Sequence, residues 1–285
     1  MSHVADTTLD DQQKLELEAI EIKLLTEGIY QHYGFDFRDY SLPSLTRRIW
    51  KRIYAEGLNT ISGLQEKVLH DPACMESLLL NLSVNTTAMF RDPTFYLAFR
   101  HIVVPLLRTY PFVRIWHAGC STGEEVYSMA ILLYEEGLYD RCRIYATDIN
   151  EPVLQRAKEG IFPISSMKEN TSNYITGGGT GTFSEYYVAK YDYAIFRPSL
   201  RENVVFAHHN LVTDATFNHF NVIFCRNVLI YFNGALQERV QKLFLDSLEM
   251  FGILGLGNKE TIKFSSVTDN YEIIDLEERL YRRVR

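Results

Sequence analysis

Residues 115–130 read IWHAGCSTGEEVYSMA: an apolar run, a glycine-bearing turn, then a helical pattern. This is the layout of a nucleotide loop, in which a strand ends in a turn and the following helix offers its free N–H groups to an anion. Two glutamates, Glu124 and Glu125, stand at the mouth of that helix. Carboxylates there repel phosphate, because they already use the positive potential of the helix N-terminus. The glycine spacing, Gly119-x-x-x-Gly123, is also not the G-x-G-x-x-G of dinucleotide sites. The loop keeps the frame of a nucleotide site and reverses its charge.

Similar units follow along the chain. β-rich runs occur at 113–119 (VRIWHAG), 142–149 (CRIYATDI), 203–211 (NVVFAHHNL), 220–232 (FNVIFCRNVLIYF) and 252–260 (GILGLGNKE). Helical stretches separate several of them, as in 124–137, where Val126, Met129, Ala130 and Leu133 form an apolar stripe. Strand–helix alternation predicts a doubly wound, mainly parallel α/β sheet. The tail 271–285 suits a closing hairpin. Residues 170–202, rich in glycine, tyrosine and threonine, suit a small antiparallel β insertion.

Before residue 95 the pattern is helical. Leu17, Ile20 and Leu24 recur at helix spacing, Pro43 suits an early helical position and Gly57 a helix end. The expected organisation is an N-terminal helical domain over 1–84, a linker over 85–104 and a catalytic domain over 105–285. The 285 residues, 46% hydrophobic, suffice for more than one core. A net charge of −7 argues against a general nucleic-acid binder. No basic leader with an apolar core and no membrane-length apolar run is visible, which predicts a cytoplasmic protein without membrane insertion. Cys74, Cys120, Cys142 and Cys225 form no CxxC pair, so neither a zinc nor a disulfide framework is expected.

In open α/β sheets the ligand lies beyond the carboxyl ends of the strands. Those ends carry Ala118, Asp148, Asn210 and Asn227. An acidic residue such as Asp148 can accept hydrogen bonds from ribose hydroxyls, although it also suits a turn. The set favours a nucleoside with a cationic appendage, which describes S-adenosylmethionine. Thr122-x-x-Glu125 has capping-box spacing, so Glu125 is expected to cap the helix and Glu124 to face the ligand.

These motifs, HAGCSTGEEVYSMA (117–130), ATDIN (146–150), Asn210-Leu211 and FCRNVLIYF (224–232), resemble in order and context the CheR-type chemotaxis receptor methyltransferases. LSVNTTAMFRDP (82–93) resembles that family's linker motif, and 33–53 its N-terminal domain. The resemblance implies a class I methyltransferase fold and S-adenosylmethionine-dependent methylation of glutamate carboxylates on chemoreceptor cytoplasmic domains; a monomer is expected. It implies cofactor contacts from Asn85, Thr87, Arg91, Ala118, Glu124, Asp148, Asn210, Leu211, Arg226 and Asn227, with Arg91 and Tyr231 beside the transferred methyl. If a helix begins after the fourth strand, Asn227 and Tyr231 share a face.

Arg47, Arg48, Lys51 and Arg52 are spaced to form one basic helix face, expected to dock an acidic receptor helix. Two features depart from the family: Gly257-Asn258-Lys259-Glu260 replaces its usual Gly-His-Ser-Glu, and the β insertion is long. Two other readings share these residues, a methyltransferase for another substrate and a sensor that binds the cofactor without transfer.

Overall fold

Five β-rich runs separated by helical ones can bury both faces only if the strands lie parallel with helices over them. The computed structural model, which describes residues 11–82 and 87–285, has that arrangement. By contacts the chain divides into two compact units, Met1–Val84 with Tyr231–Asn233, and Asn85–Ile230 with Gly234–Arg285.

The first unit is helical: α1 (Asp11–Tyr33), α2 (Leu42–Ala55), α3 (Ile61–His70) and α4 (Pro72–Leu82). Pro43 sits in the first turn of α2, where its missing N–H costs nothing. Thr60 caps α3 by accepting the Gly63 N–H at 3.0 Å. The core joins Ile22, Leu25 and Ile29 of α1 to Ile49 and Ile53 of α2, Leu64 and Val68 of α3, and Leu78 of α4. The stripe expected to mark α1, Leu17, Ile20 and Leu24, faces outward instead, at 44%, 56% and 53% exposure. Both triplets satisfy helix spacing, and packing of Ile22, Leu25 and Ile29 against the other helices selects between them.

The second unit begins, among the described residues, with α5 (Pro93–Ala98), which runs through a π turn at Phe99–Val103 into α6 (Val104–Leu107). Phe95, Tyr96, Phe99, Val103, Val104 and Leu107 are all buried in this unit's core. The stretch expected as a linker is therefore largely a core helix. Next come β1 (Val113–Ala118), α7 (Glu124–Glu135), β2 (Cys142–Asp148) and α8 (Glu151–Glu159). The excursion follows, with β3 (Ile161–Pro163), α9 (Met167–Thr176), β4 (Tyr187–Lys190) and β5 (Tyr193–Phe196). The main sheet resumes with β6 (Val204–His208), β7 (Phe220–Cys225), α10 (Gly234–Ser247), β8 (Leu248–Leu256), β9 (Tyr271–Asp275) and β10 (Leu280–Arg283).

The seven-stranded sheet has the order β6-β2-β1-β7-β8-β10-β9. β6 through β8 are mutually parallel, and β10 pairs antiparallel with β8 and β9, giving the expected closing hairpin. The direction of winding reverses between β1 and β7, so a crevice opens there beyond the strand ends. The smaller sheet, β3-β5-β4, is antiparallel. It starts at Ile161, earlier than expected, and Met167–Thr176 is a helix rather than part of a β excursion. Its composition, rich in Asn, Thr and Ser, weakens the helical signal. The buried side, Met167, Asn170 and Tyr174, nevertheless repeats at i, i+3 and i+7. Side chains of Asn170 and Asn173 bond the Met89 N–H and carbonyl and fix the helix in place.

All four cysteines are buried and free. Burial pushes the thiols of Cys120, Cys142 and Cys225 up, which fits inert core residues. Among the described residues no helix is long and apolar enough to cross a membrane.

Candidate active site

Parallel pairing places the carboxyl ends of five strands on one edge, from His208 of β6 through Asp148, Ala118 and Cys225 to Leu256 of β8. At the centre, Gly119 has φ +79°, and a Cβ there would meet Val228 Cγ2 at 2.6 Å. Only glycine lets the loop after β1 approach the turn after β7 this closely. The N–H groups of Gly119 and Cys120 donate to the Thr147 carbonyl at 2.8 and 2.9 Å, holding the loop against β2. Gly123, φ +96°, then starts α7.

Asp148 ends β2. Its Oδ2 accepts the Ser121 N–H at 2.9 Å and its Oδ1 the Asn150 N–H at 3.0 Å. A carboxylate has about four lone-pair sites, so these N–H groups do not exhaust its capacity to accept from a ligand hydroxyl. Burial pushes this carboxyl above the usual range, against the pull of the N–H donors. Glu124 opens α7, with Oε2 accepting the Thr122 hydroxyl at 2.6 Å. Burial raises its carboxyl too, and a neighbouring cation would pull it back down. Asn210 and Leu211 follow β6, both buried. The Asn210 Oδ1 accepts the Val212 N–H at 3.0 Å, which shapes this last loop.

Glu125 does not form the capping box. Gly123 occupies the cap position, and Glu125 turns inward. Its Oε1 lies 2.8 Å from His117 Nδ1 and its Oε2 accepts from Arg226 Nη1 at 3.1 Å. Burial pushes the Glu125 carboxyl up, but His117 and Arg226 outweigh it and hold it below the usual range. Arg226 continues the chain of contacts, donating to Asp92 Oδ2 at 2.9 Å and the Arg91 carbonyl at 3.1 Å, with its guanidinium 4.1 Å over the Phe95 ring. Its side chain therefore joins three segments of the protein, β7, the start of α7 and the turn at Arg91–Asp92. A capped helix needs only local geometry, whereas this network needs residues 92, 117, 125 and 226 together, so spacing alone could not reveal it.

A buried acid that sequence reasoning did not assign completes the edge. Glu260 accepts the N–H groups of Asn227 (2.9 Å), Val228 (2.9 Å), Ile230 (3.3 Å) and Gly257 (2.6 Å). It thereby fixes the turn after β7, where Asn227 has φ +62°. Positive φ marks these loops more widely: Phe90, Asp92 and Ser121 share it, at 51°, 54° and 51°. Each such residue costs on the order of 1–2 kcal/mol, and strain of this kind gathers where a site holds its backbone.

Asn85 lies outside the described residues. Thr87 and Arg91 are partly exposed, and the Arg91 carbonyl is the one that Arg226 holds. Tyr231 is not on a helix face shared with Asn227. Leu229–Tyr231 is a single 3₁₀ turn, and α10 starts only at Gly234. Tyr231 groups instead with the helical unit: its carbonyl accepts the Ser41 N–H at 2.8 Å, and the Arg48 guanidinium lies 4.3 Å over its ring.

The expected basic face of α2 divides. Arg48 is buried and donates to the Leu82 carbonyl, and Arg52 pairs with Glu56. Arg47 and Lys51 remain exposed. The four span about 140° of helix circumference at 100° per residue, so the Arg48–Arg52 edge turns into the core.

A family model described as the CheR methyltransferase SAM-binding domain matches residues 85–280, and the CheR all-alpha domain matches 20–83. The chain belongs to the CheR methyltransferase family. It is 52% identical over 264 residues to a Pseudomonas putida chain named Cher3, covering 93% of this chain and 97% of that one. It is 28% identical over 276 residues to the chemotaxis protein methyltransferase of Salmonella typhimurium, covering 92% and 90%. The Escherichia coli protein of the same name shares 28% over 263 residues, 87% and 86% of the two chains. As a CheR methyltransferase the chain uses S-adenosylmethionine. The donor set of the strand edge fits that group: a buried acid at Asp148, a half-buried one at Glu124, and a cation, Arg226, already committed to Glu125 and Asp92.

Proposed function

We propose that this CheR methyltransferase methylates glutamate side chains on the cytoplasmic helices of chemoreceptors, working in the cytoplasm. The observation that carries the reading is the strand edge itself, where carboxylates occupy the places a phosphate cradle would give to N–H donors. Asp148 would hold the ribose, Glu124 the cationic methionine end, and Asn210, Leu211, Ala118 and Asn227 the remaining contacts. Thr87, Asn85 and Arg91 would add to the site, Arg91 through the cofactor's carboxylate. The cofactor supplies a methyl group on a sulfonium.

A glutamate side chain, pKa about 4.3, is already an anion at neutral pH. The protein therefore needs no general base, and its work is to align the carboxylate oxygen with the methyl and exclude water. Gripping that oxygen too tightly would stabilise the ground state, which favours the neutral hydroxyl of Tyr231 for directing it. Tyr231→Phe keeps the ring beneath Arg48 and removes only the hydroxyl. It should lower kcat on the order of tenfold with S-adenosylmethionine affinity intact, as steady-state kinetics and calorimetry will read. An unchanged kcat removes Tyr231 from this role.

Arg47 and Lys51 are the α2 residues left to meet an acidic helix. Reversing both to Glu should raise KM for receptor about fivefold and flatten its salt dependence. A KM equal to wild type would exclude α2 as the docking face. The function as a whole rests on transfer of labelled methyl from S-adenosylmethionine to receptor cytoplasmic fragments. Base-labile label on glutamate supports it, and absence of label across a panel of receptors overturns it.

A further inference from the structure

The segment after β8 is built of two successive turns. The Glu260 N–H donates to the Gly257 carbonyl at 2.9 Å, closing one over 257–260, and the Ser265 N–H to the Ile262 carbonyl at 3.1 Å, closing a second over 262–265. In each turn one residue is an anchor. Glu260, 4% exposed, grips the Asn227–Ile230 turn as described, and Ile262, 2% exposed, is buried. The Gln241 side chain of α10 holds the Thr261 carbonyl between them at 3.1 Å.

The corner positions of the two turns are Asn258-Lys259 and Lys263-Phe264, and all four residues are exposed. Phe264 is 96% exposed. Turn corners favour Gly, Asn, Asp, Ser and Pro for backbone reasons, and Phe has none of these merits. From Gly257 to Thr268 the acid in the sequence is Glu260, which faces inward, so the outer surface of the segment carries two lysines in a chain of net charge −7.

The position of this segment in the sheet matters. β7 and β8 are parallel and end together, Cys225 beside Leu256. Apart from Asn227 in the turn after β7 itself, the residues assigned to the cofactor in this sheet follow β1, β2 and β6, on one side of β7. The segment after β8 emerges on the other side, and Glu260 bonds it to the turn that leads into Tyr231. A macromolecular substrate must approach the methyl group from the side the cofactor leaves open.

Resting on the function proposed above, the geometry points to the 257–265 segment as a substrate-side contact for the receptor. Lys259 and Lys263 meet acidic side chains around the methylated glutamate, and Phe264 packs on the apolar stripe of the same amphipathic helix. Anchoring by Glu260 and Ile262 gives the contact a fixed shape, which limits the ordering cost on binding.

The test is steady-state methylation of a receptor cytoplasmic fragment, with calorimetry of S-adenosylmethionine binding to each variant. Lys259→Glu/Lys263→Glu should raise KM for the receptor about tenfold at low salt and less at high salt. Phe264→Ala should raise it about fivefold at either salt. Both should leave kcat within about twofold, with cofactor Kd unchanged. Wild-type transfer with unaltered KM in both variants overturns this inference alone, as does a rise in KM matched by lost cofactor affinity. A wild-type enzyme that labels no receptor fragment overturns the proposed function, and this inference with it.

Discussion

Replacing Arg226 by Met is expected to destabilise the protein by about 3–5 kcal/mol, the usual cost of breaking a buried ion pair from one side. The side chain is 2% exposed and pairs with both Glu125 and Asp92. Met fills much of the volume over Phe95 but leaves Glu125 facing His117 alone, and removes two hydrogen bonds that hold the Arg91–Asp92 turn. Asp92 stands at φ +54°, a conformation it keeps only while its surroundings enforce it. Denaturant unfolding will measure the loss, and adding Glu125→Gln should recover part of it, because that removes the unpaired charge. A loss below about 1 kcal/mol would mean that Arg226 is not the clamp its contacts describe.

Asp148→Ala is expected to weaken S-adenosylmethionine binding about 100-fold. That corresponds to two hydrogen bonds from ribose hydroxyls to a charged acceptor, at roughly 1.5 kcal/mol each. The same change strands the Ser121 and Asn150 N–H groups, so the melting temperature should fall as well. Asp148→Asn keeps one acceptor oxygen and should fall between the two in affinity. Calorimetry decides, and a Kd equal to wild type would remove Asp148 from the cofactor site. A pH dependence follows from the same burial. The Asp148 and Glu124 carboxyls are held above the ordinary range, so on acidification both lose charge at higher pH than an exposed acid. Affinity for the cationic cofactor should therefore decline earlier than ordinary carboxylate titration would give.

Much of this was legible in the chain before any fold was known. Strand–helix alternation predicted the parallel sheet, because a strand buried on both faces is largely apolar and a parallel crossover is usually a helix. The strand ends at Ala118 and Asp148 followed, since those runs stop where glycine and polar residues begin, whereas the fourth run ends at Cys225, two residues before the expected Asn227. The two glutamates after Gly123 separated a cationic ligand from a phosphate by electrostatics alone. Short-range rules did less well where two faces of one helix were both plausible. Leu17-Ile20-Leu24 and Ile22-Leu25-Ile29 are equally periodic, and four basic residues on α2 look alike until packing buries one and pairs another.

What only the tertiary structure decided are the partnerships between residues far apart in the chain. Glu125 has the spacing of a cap, yet it faces His117 and Arg226, because those groups converge on it once β1, α7 and β7 are assembled. Glu260 reads as one acid in a loop, and becomes an acceptor for four N–H groups only when the ends of β7 and β8 lie side by side. Tyr231 belongs by sequence to the turn after β7 and by contact to the helical unit. The sequence by itself determined the period of each element, the charge of the nucleotide loop and the family, since these depend on residues within a few positions of one another. The pairing of buried charges depends on which segments share a low-dielectric interior, and local spacing carries no record of that.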